Sequence, residues 1–386
     1  MKNFDFYNPT HIAFGKDRIG DLVQLVPATA KVLILVGGAS AEKTGTLAQV
    51  REALGARTHS TFSGIEPNPS FETSMQAVEM VREQGFDFLL AVGGGSVIDA
   101  TKFIAAAVPF EGDAWDILLK FGGNITQALP FGVVLTLPAT GSEMNNGGVI
   151  TRHALGAKLP FRSRHVYPKF AILDPTKTYT LPAKQLANGV VDAFVHTVEQ
   201  YLTYPVNAPV QDRFAEGLLQ TLIEIGPRLL SASEPDYDDR ANLVWTATLA
   251  LNGLIGAGVP QDWATHMIGH ELTAKYNIDH ARTLAVVLPA MLNERRAQKH
   301  DKLLQYGQRV WGIQSGSDEQ RISAAIEATR DFFERMGLPT RLSAYDLGQD
   351  AVDLVLAQLQ AHGMTQLGEH GDVSLAVSRR VLEAAL

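Results

Sequence analysis

A chain of 386 residues that is 46% hydrophobic and 19% charged is large enough for two or three domains and has the balance of a globular protein with a sizeable core. Its formal net charge of -8 argues against nucleic acid or an anionic membrane surface as the main partner. The absence of cysteine excludes disulfides, iron–sulfur clusters, thiolate-bound zinc and a cysteine nucleophile, so any metal must be held by nitrogen and oxygen. Residues 1–15 carry no apolar core and no small-residue cleavage pattern, and no apolar run approaches the roughly eighteen residues a membrane span needs. The expected location is the reducing cytoplasm.

Along the first half, strand-like and helix-like segments alternate. Residues 31–36 (KVLILV) close on Gly37 and Gly38, residues 86–92 (FDFLLAV) on Gly93, Gly94, Gly95 and Ser96, and residues 131–137 (FGVVLTL) on a turn running from Pro138 to Ser142. Amphipathic stretches such as 70–84 lie between them. This alternation predicts a parallel sheet covered by helices, which binds ligands where strands end and helices begin. Glycines and hydroxyls at three strand ends suit a phosphate-bearing ligand. The turn at 92–99 (VGGGSVID) is the strongest cradle, although it is neither G-x-G-x-x-G nor a Walker loop. Ser96 and Asp99 also have capping-box spacing, which would make the turn purely structural; the second glycine turn, with Gly37, Gly38, Ala39 and Ser40, favours a ligand. An acid after the first of these strands would bond an adenosine ribose 2′-hydroxyl and repel a 2′-phosphate. Gly38, Ala39 and Ser40 stand there, with Lys43 one turn on, which favours NADP(H) over NAD(H).

From residue 182 the texture changes. Residues 183–201, 210–230, 239–254 and 321–336 have helical periodicity, and no strand-like alternation of comparable quality follows. The expected division is an α/β domain at 1–182 and an all-helical domain at 183–386, with no flexible linker and no internal repeat. The helical half concentrates the candidate chemistry. Asp192 and His196, and likewise His266 and His270, are spaced i, i+4 and share a helix face, with His280 following. One oxygen and several imidazole nitrogens suit a divalent transition metal such as Fe²⁺, Zn²⁺ or Ni²⁺. A lone histidine or a single Asp–His pair is more often a core residue or an intrahelical ion pair. Five such groups amid small and apolar neighbours would be costly without an ion, but spacing leaves open which three or four are ligands. His266 and His270 lack the intervening Glu of a zincin, no G-x-S-x-G elbow exists, and no tyrosine has Lys at i+4.

Four separated segments together resemble the iron-containing (group III) alcohol dehydrogenase family. They are Gly93-Gly94-Gly95-Ser96-x-x-Asp99, the run LPATGSE at 137–143, the stretch from Asp174-Pro175 to Asp192-Ala193-Phe194-x-His196, and His266-x-x-Gly269-His270 with His280-Ala281. The similarity spans essentially the whole chain and is nearest to the NADPH-dependent aldehyde reductase and butanol dehydrogenase branch. It implies a Rossmann-like N-terminal domain, a helical C-terminal domain of the dehydroquinate synthase-like type, a homodimer, and metal-assisted hydride transfer between NADP(H) and aldehydes or primary alcohols. By position it puts ligands for one Fe²⁺ or Zn²⁺ on Asp192, His196, His266 and His280. It puts dinucleotide contacts on Gly37, Gly38, Ser40, Gly94, Gly95, Ser96, Asp99, Thr136, Ser142, Lys158, Tyr179 and Leu181. His270 then neighbours nicotinamide and substrate, as the candidate proton donor. Two residues depart from the family pattern: Ala281 stands where many members have glycine, and Met144 is bulkier than the expected small residue. Trp263, Asn145, Leu254 and Phe194 are candidates to line the substrate pocket. Two competing functions remain. A dehydroquinate synthase-like sugar-phosphate cyclase is disfavoured because residues 240–290 hold only Arg240, Lys275 and Arg282 as basic groups. A metallohydrolase would bind phosphate esters on the glycine loops.

Overall fold

The computed structural model describes all of residues 1–386. Strands form at His11–Phe14 (β1), Val32–Val36 (β2), His59–Phe62 (β3), Phe88–Gly94 (β4), Phe131–Leu137 (β5), Gly147–Arg152 (β6), Ala157–Arg162 (β7) and Phe170–Leu173 (β8). Six of them build one sheet in the order β1-β8-β5-β4-β2-β3, with every pairing parallel. β2 is buried at every position, as a strand covered on both faces must be. The strand order reverses at β2: the chain moves to β3 on one side and returns to β4 on the other, with Val36 opposite Val92. The glycine turns after β2 and β4 are therefore neighbours at the switch point, the usual ligand crevice of an open parallel sheet. β4 runs two residues beyond its expected end because Gly93 and Gly94 still pair with Leu135 and Leu137, across a shift of register.

The helices of this half are Leu22–Leu25 (α1), Ser40–Lys43 (α2), Thr46–Leu54 (α3), Phe71–Gln84 (α4), Gly95–Ala107 (α5) and Asp116–Leu119 (α6). α4 begins where Ser70 Oγ accepts the Thr73 N–H and ends on Gly85 at φ 68°. α5 is buried at every position except Ser96, which explains its run of alanines and apolar residues. Beyond the three expected strands, β1, β3 and β8 extend the sheet, and β6 and β7 form an antiparallel hairpin apart from it, which sets Lys158 opposite Thr151.

Downstream lie Ala183–Tyr201 (α7), Pro209–Ser231 (α8), Tyr237–Ala250 (α9), Ala264–Tyr276 (α10), His280–Glu294 (α11), His300–Arg309 (α12), Asp318–Arg335 (α13), Gln349–Ala361 (α14) and Leu375–Ala384 (α15). The half is helical but not all-helical, since Gln366–Leu367 (β9) and Val373–Ser374 (β10) pair antiparallel. α9 stops four residues before its expected end. Asn252 Oδ1 accepts the Leu254 N–H, and Gly253 takes φ 92°, a turn that cannot continue a helix. No helix is long and apolar enough to cross a membrane.

By packing, the chain forms two units. The sheet unit comprises Tyr7–Pro182 and Pro235–Thr248, and the helical unit comprises Met1–Phe6, Ala183–Glu234 and Leu249–Leu386. Two segments thus depart from a single cut at 182. Most of α9 belongs with the sheet unit: Arg240 donates to the Thr178 carbonyl at 2.8 Å, and Thr248 Oγ1 donates to Glu143 Oε1. Lys2, by contrast, donates its N–H to the Gly258 carbonyl at 2.8 Å, within the helical unit. Phe194 is not a pocket residue. Its ring is fully buried among Phe332, Phe333 and Trp311, with centroids 5.3, 5.5 and 6.3 Å away.

Candidate active site

α7 carries Asp192, His196 and Glu199 at i, i+4 and i+7, a spacing that keeps all three on one helix face. α10 brings in His266 and His270, and α11 opens on His280. The ligand atoms of Asp192, His196 and His266 all lie within 4.8 Å of one another, and all three residues are buried. His196 Nε2 and His280 Nε2 stand 3.9 and 3.8 Å from the same Asp192 Oδ1. These separations exceed a hydrogen bond. They are close to what donors around one ion require, with metal–ligand bonds of roughly 2.0–2.2 Å. The His196 and His266 rings stack at 4.6 Å, and His266 and His280 stand edge to face at 5.2 Å. Burial pushes the His196 imidazole down to about 4, which keeps it neutral and able to ligate. Three imidazoles and one carboxylate fit a divalent Fe²⁺ or Zn²⁺. His270 adjoins this set, with its ring 5.0 Å from that of His280.

Two further residues complete the cluster. Glu199 hydrogen-bonds His266 Nδ1 through Oε2 and accepts the Thr265 N–H at 2.7 Å through Oε1. Sequence reasoning missed it, although its place seven residues after Asp192 and three after His196 was available as a third periodic position. Trp263, expected at the pocket, takes φ 65°, a left-handed conformation that is strained for a bulky side chain. Its indole N–H donates to Gln261 Oε1 at 2.8 Å, and its ring stands 5.2 Å from His266 and 6.1 Å from His196.

In the sheet unit, the glycine turns are dictated by close packing. A Cβ on Gly95 would lie 2.4 Å from Thr140 Oγ1, and one on Gly93 would lie 2.6 Å from Val97 Cγ2. The capping-box reading fails, because α5 has no side-chain cap. Asp99 instead accepts Ser142 Oγ at 2.7 Å and the Val149 N–H at 2.9 Å. Desolvation raises its carboxyl above the usual range, and Lys102 is the chief opposing charge. Ser96 Oγ accepts the Asn68 N–H at 3.3 Å, and Asn68 Oδ1 accepts Lys158 Nζ at 2.8 Å. Asn68, at φ 56°, thus links the glycine turn to the hairpin lysine, a role no sequence pattern announced. Gly38, Ala39 and Ser40 are exposed after β2. Glu42 is the nearest following carboxylate and pairs with Arg51 at 3.2 Å, while Lys43 is solvated. Thr136 is half-buried at the end of β5, as are Tyr179 and Leu181 after the turn at Pro175–Thr178. Asn145 Oδ1 is committed to the scaffold, accepting Lys102 Nζ at 2.7 Å and the Gly147 N–H at 3.0 Å.

Parallel sheet, switch-point glycines and a buried Asp/His cluster describe the class of metal-linked dinucleotide enzymes. Residues 9–175 match the family described as iron-containing alcohol dehydrogenase, and residues 186–370 match the Fe-containing alcohol dehydrogenase family, C-terminal; the chain belongs to the iron-containing alcohol dehydrogenase family. It is 60% identical to the NADPH-dependent aldehyde reductase YqhD of Escherichia coli K12, covering 100% of both chains, and that protein's crystal structure superposes with a TM-score of 0.98. It is 41% identical to a probable NADH-dependent butanol dehydrogenase of Bacillus subtilis, over 94% of this chain and 95% of the relative. The structure of NADH-dependent butanol dehydrogenase A from Thermotoga maritima is 34% identical, covers 100% of this chain and 99% of its own, and superposes with a TM-score of 0.94.

Proposed function

We propose that the chain transfers hydride between NADP(H) and aldehydes or primary alcohols, acting as a broad-range aldehyde reductase that prefers NADP(H) to NAD(H). The observation that carries this reading is the 60% identity, along the full length, to an NADPH-dependent aldehyde reductase. Asp192, His196, His266 and His280 hold one divalent ion, Fe²⁺ or Zn²⁺. Such an ion, when bound, acts as a Lewis acid towards the substrate oxygen. Gly37, Gly38, Ser40, Gly94, Gly95 and Ser96 admit the dinucleotide phosphates through backbone N–H groups, and Asp99 with Ser142 braces the turn that presents them. Lys158, Thr136, Tyr179 and Leu181 complete the dinucleotide contacts. The exposed Gly38-Ala39-Ser40 turn leaves room for a 2′-phosphate, because Glu42 is turned to Arg51. His270 gives a proton to the oxygen of the reduced carbonyl and takes one back in alcohol oxidation.

The enzyme works as a cytoplasmic homodimer. The sugar-phosphate cyclase alternative loses further ground because Arg240 is buried and spent on the Thr178 carbonyl. The test mixes metal-loaded protein with NADPH and a series of aldehydes beginning with butanal, and follows nicotinamide absorbance. No loss of absorbance with any aldehyde would sink the reading, and faster turnover with NADH would overturn the cofactor preference. Light scattering after size exclusion decides the dimer.

A further inference from the structure

Behind His266 the helical unit holds a set of buried charges that no ligand assignment uses. Glu199 is 2% exposed, and its two oxygens are divided between the His266 ring and the backbone of α10. The Asp262 N–H donates to the Glu199 carbonyl at 2.9 Å, and Asp262 Oδ1 accepts the Ala264 N–H at 3.0 Å. Glu199 and Asp262 therefore bind three points of the turn that launches α10, at residues 262, 264 and 265. Lys299, 3% exposed, stands behind them. It pairs with Asp262 at 2.9 Å and Glu369 at 2.7 Å, and it donates to the Leu202 carbonyl at 2.7 Å.

Two physical consequences follow. An imidazole that gives its Nδ1 proton to a carboxylate presents its lone pair at Nε2, and a charged acceptor makes the ring more basic as a ligand. The same contacts also fix the backbone that presents the ring: Glu199 and Asp262 hold residues 262, 264 and 265, and Lys299 holds Asp262, so His266 enters from a pinned turn.

We infer that Glu199 is a positioning residue for the metal centre, holding His266 as the Nδ1-protonated tautomer with Nε2 turned to the ion, and that Asp262, held by Lys299, fixes the turn that brings His266 to Glu199. The inference rests on the proposed metal site. Glu199→Gln keeps the side-chain volume and an acceptor for the Thr265 N–H, but it removes the charge and offers His266 an amide that can donate to Nδ1. Zn²⁺ affinity is measured by chelator competition, and the site is read from the visible spectrum of Co²⁺-loaded protein. The variant should bind Zn²⁺ at least about tenfold more weakly and show an altered Co²⁺ spectrum, while the metal-free unfolding midpoint stays near that of the wild type. Unchanged affinity and spectrum overturn the inference, and so does a lowered metal-free midpoint with unchanged affinity, which would leave Glu199 only a structural role. If the variant does not fold, histidine-selective ¹⁵N spectra of the Zn²⁺-loaded wild type decide: His266 protonated at Nδ1 supports the assignment, and any other tautomer refutes it. A wild type that binds no metal overturns the site reading and this inference together. A wild type that binds metal, matched by Glu199→Gln, overturns this inference alone.

Discussion

The glycine turns of the sheet unit and the Asp/His cluster of the helical unit are built from opposite materials. The turns work by what their residues lack: a Cβ at Gly93 or Gly95 would collide with the side chain of Val97 or Thr140, which occupies the space instead. The cluster works by what its side chains supply, since Asp192, His196 and His266 are buried polar groups whose ligand atoms converge. Each site should therefore fail in its own way, the first on gaining atoms and the second on losing them.

The largest effect is expected from loss of a donor. Asp192→Ala or His266→Ala should strip the metal and lower turnover about 1,000-fold or more, the equivalent of several kcal/mol of transition-state stabilisation. Elemental analysis beside the NADPH assay checks this, and stoichiometric metal in either variant would refute that ligand. Gain of an atom comes next. Gly95→Ala should raise the KM for NADPH roughly 10- to 100-fold, the range that 1–3 kcal/mol of overpacking produces, with a smaller change in kcat. Adding Thr140→Ala removes the nearest atoms of the clash and should restore much of the loss; no recovery would place the damage elsewhere. A smaller shift tests the turn after β2. Ala39→Asp should move the NADPH-to-NADH preference towards NADH by about tenfold, as a carboxylate repels a 2′-phosphate. An unmoved ratio means the phosphate is read elsewhere.

Stability in the sheet unit should change with pH as well. Burial lowers the Lys102 ammonium to about 8 from its ordinary 10.5, against the pull of Asp99 and Glu143. Between those values the unfolded chain binds more protons at this lysine than the folded one, so its contribution to stability rises with pH over that window. Below about pH 8 the lysine is charged in both states and the cost of burying the charge is present in full. The unfolding free energy of the wild type, less that of Lys102→Met, should climb by at most about 1.4 kcal/mol per pH unit from pH 8 to 10. A flat difference would mean that the buried amine titrates normally.

The same contrast explains what could be read in advance. Strand ends closed by Gly37-Gly38 and Gly93-Gly94-Gly95 announced the sheet, because aliphatic runs and glycine turns act over a few neighbouring residues. Helical periodicity placed α7 at its full extent, and i, i+4 spacing placed Asp192 beside His196. Contacts made across long stretches of sequence were silent. The Ser96–Asp99 capping box dissolved because Asp99 found Ser142 and Val149, 43 and 50 residues away. Phe194 looked like a pocket wall from its neighbours on α7, yet α13 supplies the aromatic rings that enclose it. Glu199 was visible as one more position on a helix face, but only His266, 67 residues on, gives that position a meaning.

Trp263 carries a consequence of a different kind. Its indole is held in one orientation by Gln261 and by a left-handed backbone, within about a ring's width of two histidines of the cluster. An aromatic fluorophore fixed so near an open-shell ion loses its excited state to that ion, whereas a closed-shell ion leaves it emitting. Fe²⁺ or Co²⁺ should darken this tryptophan and Zn²⁺ should not, with Trp263→Phe abolishing the difference. The protein would then report in light both whether its centre is filled and which kind of ion fills it.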